Sequence, residues 1–194
     1  MKKVLIGGIG NVLLGDDGVG PYVARLLAAR YEFADGVEVA DLGTPALDLI
    51  DQLTANDAVI LIDSVAPDTN KDDAEIAPGA VVLYRKADIM RHSPAVRMDP
   101  HSPALVDALL SAELFGVAPA DVLLVGIRAE SFEVGCDLSQ PVKASLEQAI
   151  AEVLQELDRL QVKHRARQHP AEVGIWWANT ITNEDKMDSA LLRQ

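Results

Sequence analysis

Lys3-Val4-Leu5-Ile6-Gly7-Gly8-Ile9-Gly10-Asn11-Val12-Leu13-Leu14-Gly15-Asp16-Asp17-Gly18-Val19-Gly20 joins an apolar run to a glycine-rich, acidic one. Its first part, through Ile9, is a continuous apolar strand of the kind buried on both faces in a parallel sheet. The strand runs into a glycine-rich turn that ends on two carboxylates. From Pro21, residues Val23, Ala24, Leu26, Leu27 and Tyr31 recur at helical spacing, with Pro21 suited to a first turn. Val37 to Leu42 follows as a second strand. This β–α–β order predicts the α/β class: a single three-layer domain with a mostly parallel twisted sheet flanked by helices.

Working outward, Ala46 to Leu53 reads as a helix and Ala58 to Ile62 as a third buried strand ending at Asp63-Ser64. An acidic, proline-punctuated loop from Asp68 to Pro78 leads to Ala80–Tyr84, a fourth strand expected at an edge or antiparallel. After an irregular stretch, Arg91 to Pro100, a helix is expected from about residue 102 to 115. Asp121 to Ile127 reads as a fifth strand. Ser139-Gln140-Pro141 then opens a long helix carrying Val142, Leu146, Ile150, Val153, Leu154 and Leu157, with Ser139 placed to cap it. The domain is expected to span residues 1–160. Residues 161–194 change composition, with five Lys and Arg against four Asp and Glu, and hold both tryptophans, Trp176 and Trp177. They read as a C-terminal appendage that docks on the body, on a second copy or on a partner.

Of the 194 residues, 49% are apolar and 24% charged, which fits one globular domain and excludes disordered or collagen-like architecture. Seventeen Lys and Arg against thirty Asp and Glu give a net charge of −13. That charge repels a phosphate backbone and an anionic membrane surface, so neither nucleic acid nor membrane is an expected partner. No apolar run reaches the ~20 residues that span a bilayer, and the Met1-Lys2-Lys3 start leads into a strand without a small-residue cleavage site, so a cytoplasmic protein is expected. Cys136, the single cysteine, forms no internal disulfide and no multi-thiolate metal site.

In an open α/β sheet, ligands gather at the carboxyl ends of the strands. Asp16-Asp17 follow the first strand, Asp63 closes the third, and His101 precedes a later helix. Two carboxylates and an imidazole form a mixed oxygen and nitrogen set suited to a divalent transition metal with positions left open. Each residue also has a plainer role available: Asp17 holding loop amides, Asp63 capping a turn, His101 sitting near a helix start. No His-Glu-x-x-His protease motif and no Gly-x-Ser-x-Gly nucleophile turn occurs. The glycine-rich turn does not suit a dinucleotide either, because Leu13 stands where the third glycine is needed and Asp16-Asp17 would oppose a pyrophosphate.

Taken in order, these segments resemble the hydrogenase maturation endopeptidases. Gly8 to Gly20 resembles that family's opening motif, and Asp41-Leu42-Gly43-Thr44 its Asp-x-Gly-Thr box. Ile62-Asp63-Ser64 is similar to its strand-end Asp-Ala segment, His101-Ser102-Pro103-Ala104-Leu105 to its His-x-x-x-Leu segment, and Gly135 to Val142 to its Gly-x-x-Leu-Ser-x-x-Val signature. The likeness covers about residues 3 to 157 and leaves the tail outside it.

The resemblance implies an endopeptidase that removes a C-terminal extension from the precursor of a nickel–iron hydrogenase large subunit once nickel is inserted. It implies Asp17, Asp63 and His101 as the nickel-contacting and catalytic residues, and Asp41, Gly43 and Thr44 as residues of substrate recognition. His92 competes with His101, but only His101 has the following Leu105 and helical run. Carboxylates and one imidazole hold nickel more weakly than thiolates do, so the nickel is expected to be borne by the substrate. Attack assisted by Asp17 or Asp63 as base, without metal catalysis, is the other chemical route. A scaffold that handles nickel and docks the precursor without cutting it is the alternative function.

Overall fold

A computed structural model of the chain describes residues 2–45, 48–65, 76–91, 105–175 and 177. The strands are β1 (Val4–Ile9), β2 (Tyr31–Phe33), β3 (Val37–Gly43), β4 (Ala58–Val65), β5 (Val81–Arg85), β6 (Asp121–Arg128) and β7 (His164–Ala166). The helices are α1 (Val19–Arg30), α2 (Asp48–Thr54), α3 (Lys86–Arg91), α4 (Leu105–Leu114) and α5 (Gln140–Arg159). Five strands form one sheet in the order β3-β1-β4-β6-β5. The first four run parallel, and β5 closes the edge antiparallel to β6.

The apolar runs form these strands because both faces of the sheet are covered. Alternate residues serve the two sides: Val4 and Ile6 of β1 pack with α1 and α5, while Leu5 packs with α2, α3 and α4. Ile60, Ile62, Leu123 and Val125 extend the first core toward Val23, Leu27, Val142 and Val153. Val59, Leu61 and Leu124 extend the second toward Leu49, Leu53, Ile89 and Leu109. The result is three layers, helices on sheet on helices, with the central strands carrying continuous apolar sequence as a doubly covered sheet requires.

Local chemistry fixes the helix starts. Pro21 lies in the first turn of α1, where its missing N–H has no helical partner to lose. Ser139 caps α5, its side chain accepting from the Val142 N–H at 3.5 Å, with Pro141 just inside the helix. The expected start of α2 at Ala46, the segment at 92–104 and most of the acidic loop fall outside the described residues.

Three elements were not expected from the sequence. β2 and β7 pair antiparallel, Glu32 opposite Arg165, so residues 164–166 form a small separate ribbon with the three residues that follow α1. The chain then follows α1, with Ala171 N–H donating to Ala29 O at 2.9 Å. Trp177 is buried, its ring edge-on to Tyr22 with centroids 6.4 Å apart. The third addition is α3, which seats Ile89 in the second core. Among the described residues no helix is long and apolar enough to cross a membrane.

Candidate active site

The register of the central strands brings the carboxylates to one edge. Gly8 of β1 pairs with Asp41 of β3 on one side and Ile62 of β4 on the other, so Asp63 stands one step beyond Ile62 at the same carboxyl end. Between them the chain leaves β1 through Gly10, whose φ of +137° and whose Cβ direction, 1.7 Å from Asp17 O, admit no side chain. Gly20 serves close packing instead: a Cβ there would lie 2.2 Å from Ile9 O and 2.3 Å from Ile62 O. The glycines of the opening stretch thus seat α1 against the ends of β1 and β4.

Residues Gly15–Gly18 form a single 3₁₀ turn, and its two carboxylates have opposite employment. Asp16 is buried and turned toward the later loop, accepting N–H bonds from Glu130 at 2.8 Å, Ser131 at 3.1 Å and Ser139 at 2.6 Å. Backbone bonds reinforce the junction, Gly15 N–H to Gly135 O at 2.7 Å and Gly135 N–H to Leu13 O at 2.9 Å. The late Gly-x-x-Leu-Ser segment is therefore tied to the opening motif through Asp16.

Asp17 turns the other way. Its Oδ2 accepts the Asn11 N–H at 2.9 Å and its Oδ1 accepts the Ser64 hydroxyl at 2.8 Å. Asp63 is buried nearby, its Oδ1 accepting the Ser64 N–H at 2.7 Å. Burial first, and then the charge of Asp17, pushes the Asp63 carboxyl well above the usual carboxylate range, against the pull of that N–H. No ion pair among the described residues includes either carboxylate. Among the described residues the donors to the two carboxylates are N–H and O–H groups, and two carboxyl groups so placed can serve as oxygen ligands to a divalent cation.

His101 and its competitor His92 lie outside the described residues; α4 begins at Leu105, four positions after His101. Among the described residues no group of three His, Cys, Asp or Glu side chains gathers at one point. Asp41 stands on the opposite flank of β1. Its Oδ1 accepts the Gly43 N–H at 3.1 Å and its Oδ2 receives Arg25 at 3.4 Å. Gly43, at φ +57°, turns the chain out of β3 and its carbonyl accepts the Gly10 N–H at 2.8 Å, leaving Thr44 exposed beside the opening turn. Ser64 is the residue at this edge that the sequence did not single out, since its hydroxyl meets Asp17 only through the fold.

A mostly parallel α/β sheet with two buried carboxylates at its carboxyl edge has counterparts among known proteins. The family model for hydrogenase maturation protease matches residues 21–156. The chain is 36% identical over 171 residues to a hydrogenase expression/formation protein HoxM of Azotobacter vinelandii, covering 88% of this chain and 79% of that one. It is 31% identical over 158 residues to the hydrogenase 2 maturation protease of Escherichia coli K12, covering 80% and 90%. Among solved structures, the hydrogenase maturating endopeptidase HybD of Escherichia coli superposes with a TM-score of 0.75 at 30% identity, over 85% of this chain and 98% of that one. A nickel–iron hydrogenase maturation protease HybD of Thermococcus kodakarensis gives 0.60 at 28% identity, over 80% and 98%. This chain belongs to the hydrogenase maturation protease family, and with it to the peptidases.

Proposed function

We propose that this chain is the endopeptidase that removes the C-terminal extension of a nickel–iron hydrogenase large-subunit precursor after nickel insertion, with nickel held by the precursor as the recognition signal. The observation that carries the reading is the buried pair Asp17 and Asp63, close enough for one charge to raise the other, with neither carboxylate in an ion pair among the described residues. Such a pair is held at a cost in the free protein, and a cation brought by the substrate offsets that cost.

On this reading Asp17, Asp63 and His101 face the nickel of the precursor, and the binding of that ion delivers the tail with its scissile peptide to the same edge. The chain's own groups fix the carboxylates and orient the tail. A carboxylate of the pair accepts the proton of the attacking water as its oxygen bonds to the peptide carbon, and returns that proton to the amide nitrogen as the C–N bond breaks and the tail leaves as an amine. Asp41, Gly43 and Thr44 take part in substrate recognition: the turn they form is joined to Gly10 and exposes Thr44 beside the site. On the same reading the chain acts on a protein substrate in the cytoplasm.

The test is the intact mass of the hydrogenase large subunit in cells lacking this chain, and in cells given back the wild type or Asp17→Ala. A C-terminal extension that is retained without the chain and trimmed only by the wild type supports the reading. Normal trimming in every case overturns it in favour of a scaffold that docks without cutting.

A further inference from the structure

We propose that Ser64 is a positioning residue that sets the placement of the Asp17 and Asp63 carboxylates relative to one another; this deepens the processing reading and rests on it. Ser64 is 1% exposed and spends both of its donors on the pair: the hydroxyl on Asp17 Oδ1 at 2.8 Å, the backbone N–H on Asp63 Oδ1 at 2.7 Å. Asp17 comes from the 3₁₀ turn and Asp63 from the end of β4, so nothing in the covalent chain between positions 17 and 63 relates their side chains directly. One residue that grips an oxygen of each supplies that relation.

The grip is directional. Oδ2 of Asp17 is held by the Asn11 N–H within its own loop, which fixes the carboxylate to the turn but not to the sheet. Oδ1 is held by a residue of β4, which lies between β1 and β6 and is buried along its whole length. The Ser64 bond therefore transfers the rigidity of the central sheet to a loop carboxylate, as outer groups do for metal ligands. The hydroxyl proton is committed to Asp17 and the residue is enclosed, so Ser64 acts through the carboxylates and not on the peptide.

Removing the hydroxyl leaves β4 its backbone and its apolar contacts, so Ser64→Ala is expected to fold with a melting temperature within a few degrees of wild type. With nickel-loaded precursor, Ser64→Ala is expected to lower kcat/KM about tenfold, and Ser64→Thr to return it toward wild type. In a crystal structure of Ser64→Ala, the Asp17 carboxylate is expected to leave its wild-type position or to occupy two rotamers. An unchanged kcat/KM, or an Asp17 carboxylate in its original place, overturns the proposal. If the wild type itself leaves the precursor uncut, the processing reading fails, and the crystal structure still decides the role of Ser64.

Discussion

Asp16 Oδ1 accepts the backbone N–H of Ser139 at 2.6 Å, across a sequence separation of 123 residues. The residue that caps α5 is thereby fastened to the turn that presents Asp17. Two adjacent aspartates divide the work of one turn, the first satisfied entirely by the protein and the second facing the neighbouring carboxylate Asp63.

That division predicts opposite phenotypes for neighbouring alanine substitutions. Asp16→Ala strands three N–H groups and should lower stability by about 2–4 kcal/mol, with hydrogen bonds to charged groups at about 1.5–3 kcal/mol each and not additive. Thermal unfolding of the variant reads this directly. A melting temperature equal to wild type would contradict the anchoring role.

Asp17→Ala removes two accepted hydrogen bonds but also relieves the repulsion between buried carboxylates, so its stability should stay within about 1 kcal/mol of wild type. Processing should fall at least about a hundredfold, as for loss of a group that holds substrate or moves a proton. Asp63→Asn should behave alike. A folded Asp17→Ala variant that trims at wild-type rate would remove the pair from the mechanism.

Gly20→Ala places a Cβ against Ile9 O and Ile62 O, both backbone atoms that cannot rotate away. The seat of α1 on the ends of β1 and β4 must open, at a cost of about 3 kcal/mol or more. Denaturant unfolding should show a lowered midpoint, and the surviving folded fraction should process poorly because the same seat places Asp17. An unperturbed midpoint would show that the helix has slack there.

Acid sensitivity should come from the far end of the sheet. Burial pushes the Glu156 carboxyl up, but hydrogen bonds from Arg159 and Arg85 outweigh it and hold the group below its usual range. The Arg159 hydrogen bond likewise lowers Asp121, with Lys2 adding to it. A depressed folded pKa contributes stability that is present above the ordinary carboxylate range and lost as pH falls through the folded value. Glu156→Gln should therefore be less stable than wild type by about 1–2 kcal/mol at neutral pH, the arginines being half exposed, with the gap closing below pH ~4. A constant gap across pH would refer the loss to packing alone.

Much of the fold was legible because the central strands are doubly buried: Val4–Ile9, Ala58–Ile62 and Asp121–Ile127 carry the apolar runs that such burial demands. Ala80–Tyr84 was read as a strand at an edge or antiparallel, and β5 is both, its side chains only half-buried or exposed. The three-residue strands β2 and β7 were not legible. Tyr31-Glu32-Phe33 continues the periodicity of α1, and His164-Arg165-Ala166 has no apolar pattern; they pair through backbone bonds and the Glu32 ion pairs with Arg165 and Arg167. α3 was hidden for a similar reason, since a helix of six residues with one buried side chain, Ile89, has no period to read.

At the site, residue type alone placed carboxylates at the strand ends but could not sort them. Asp16 and Asp17 are chemically identical, and only the distant Ser139 and Ser64 show which is structural and which is presented. Asp41 illustrates the same limit: its internal bonds to Gly43 and Arg25 depend on how β3 lies against α1. Ser64 carried no sequence signal of its own, because a serine at a strand end is ordinary until a carboxylate 47 positions away is folded onto it.

Whether the precursor's nickel admits the tail to Asp17 and Asp63 is decided by incubating the purified chain with nickel-loaded and nickel-free precursor and following intact mass. Cleavage of the loaded form alone, lost with Asp17→Ala, is the predicted result. Equal cleavage of both forms would contradict recognition through nickel.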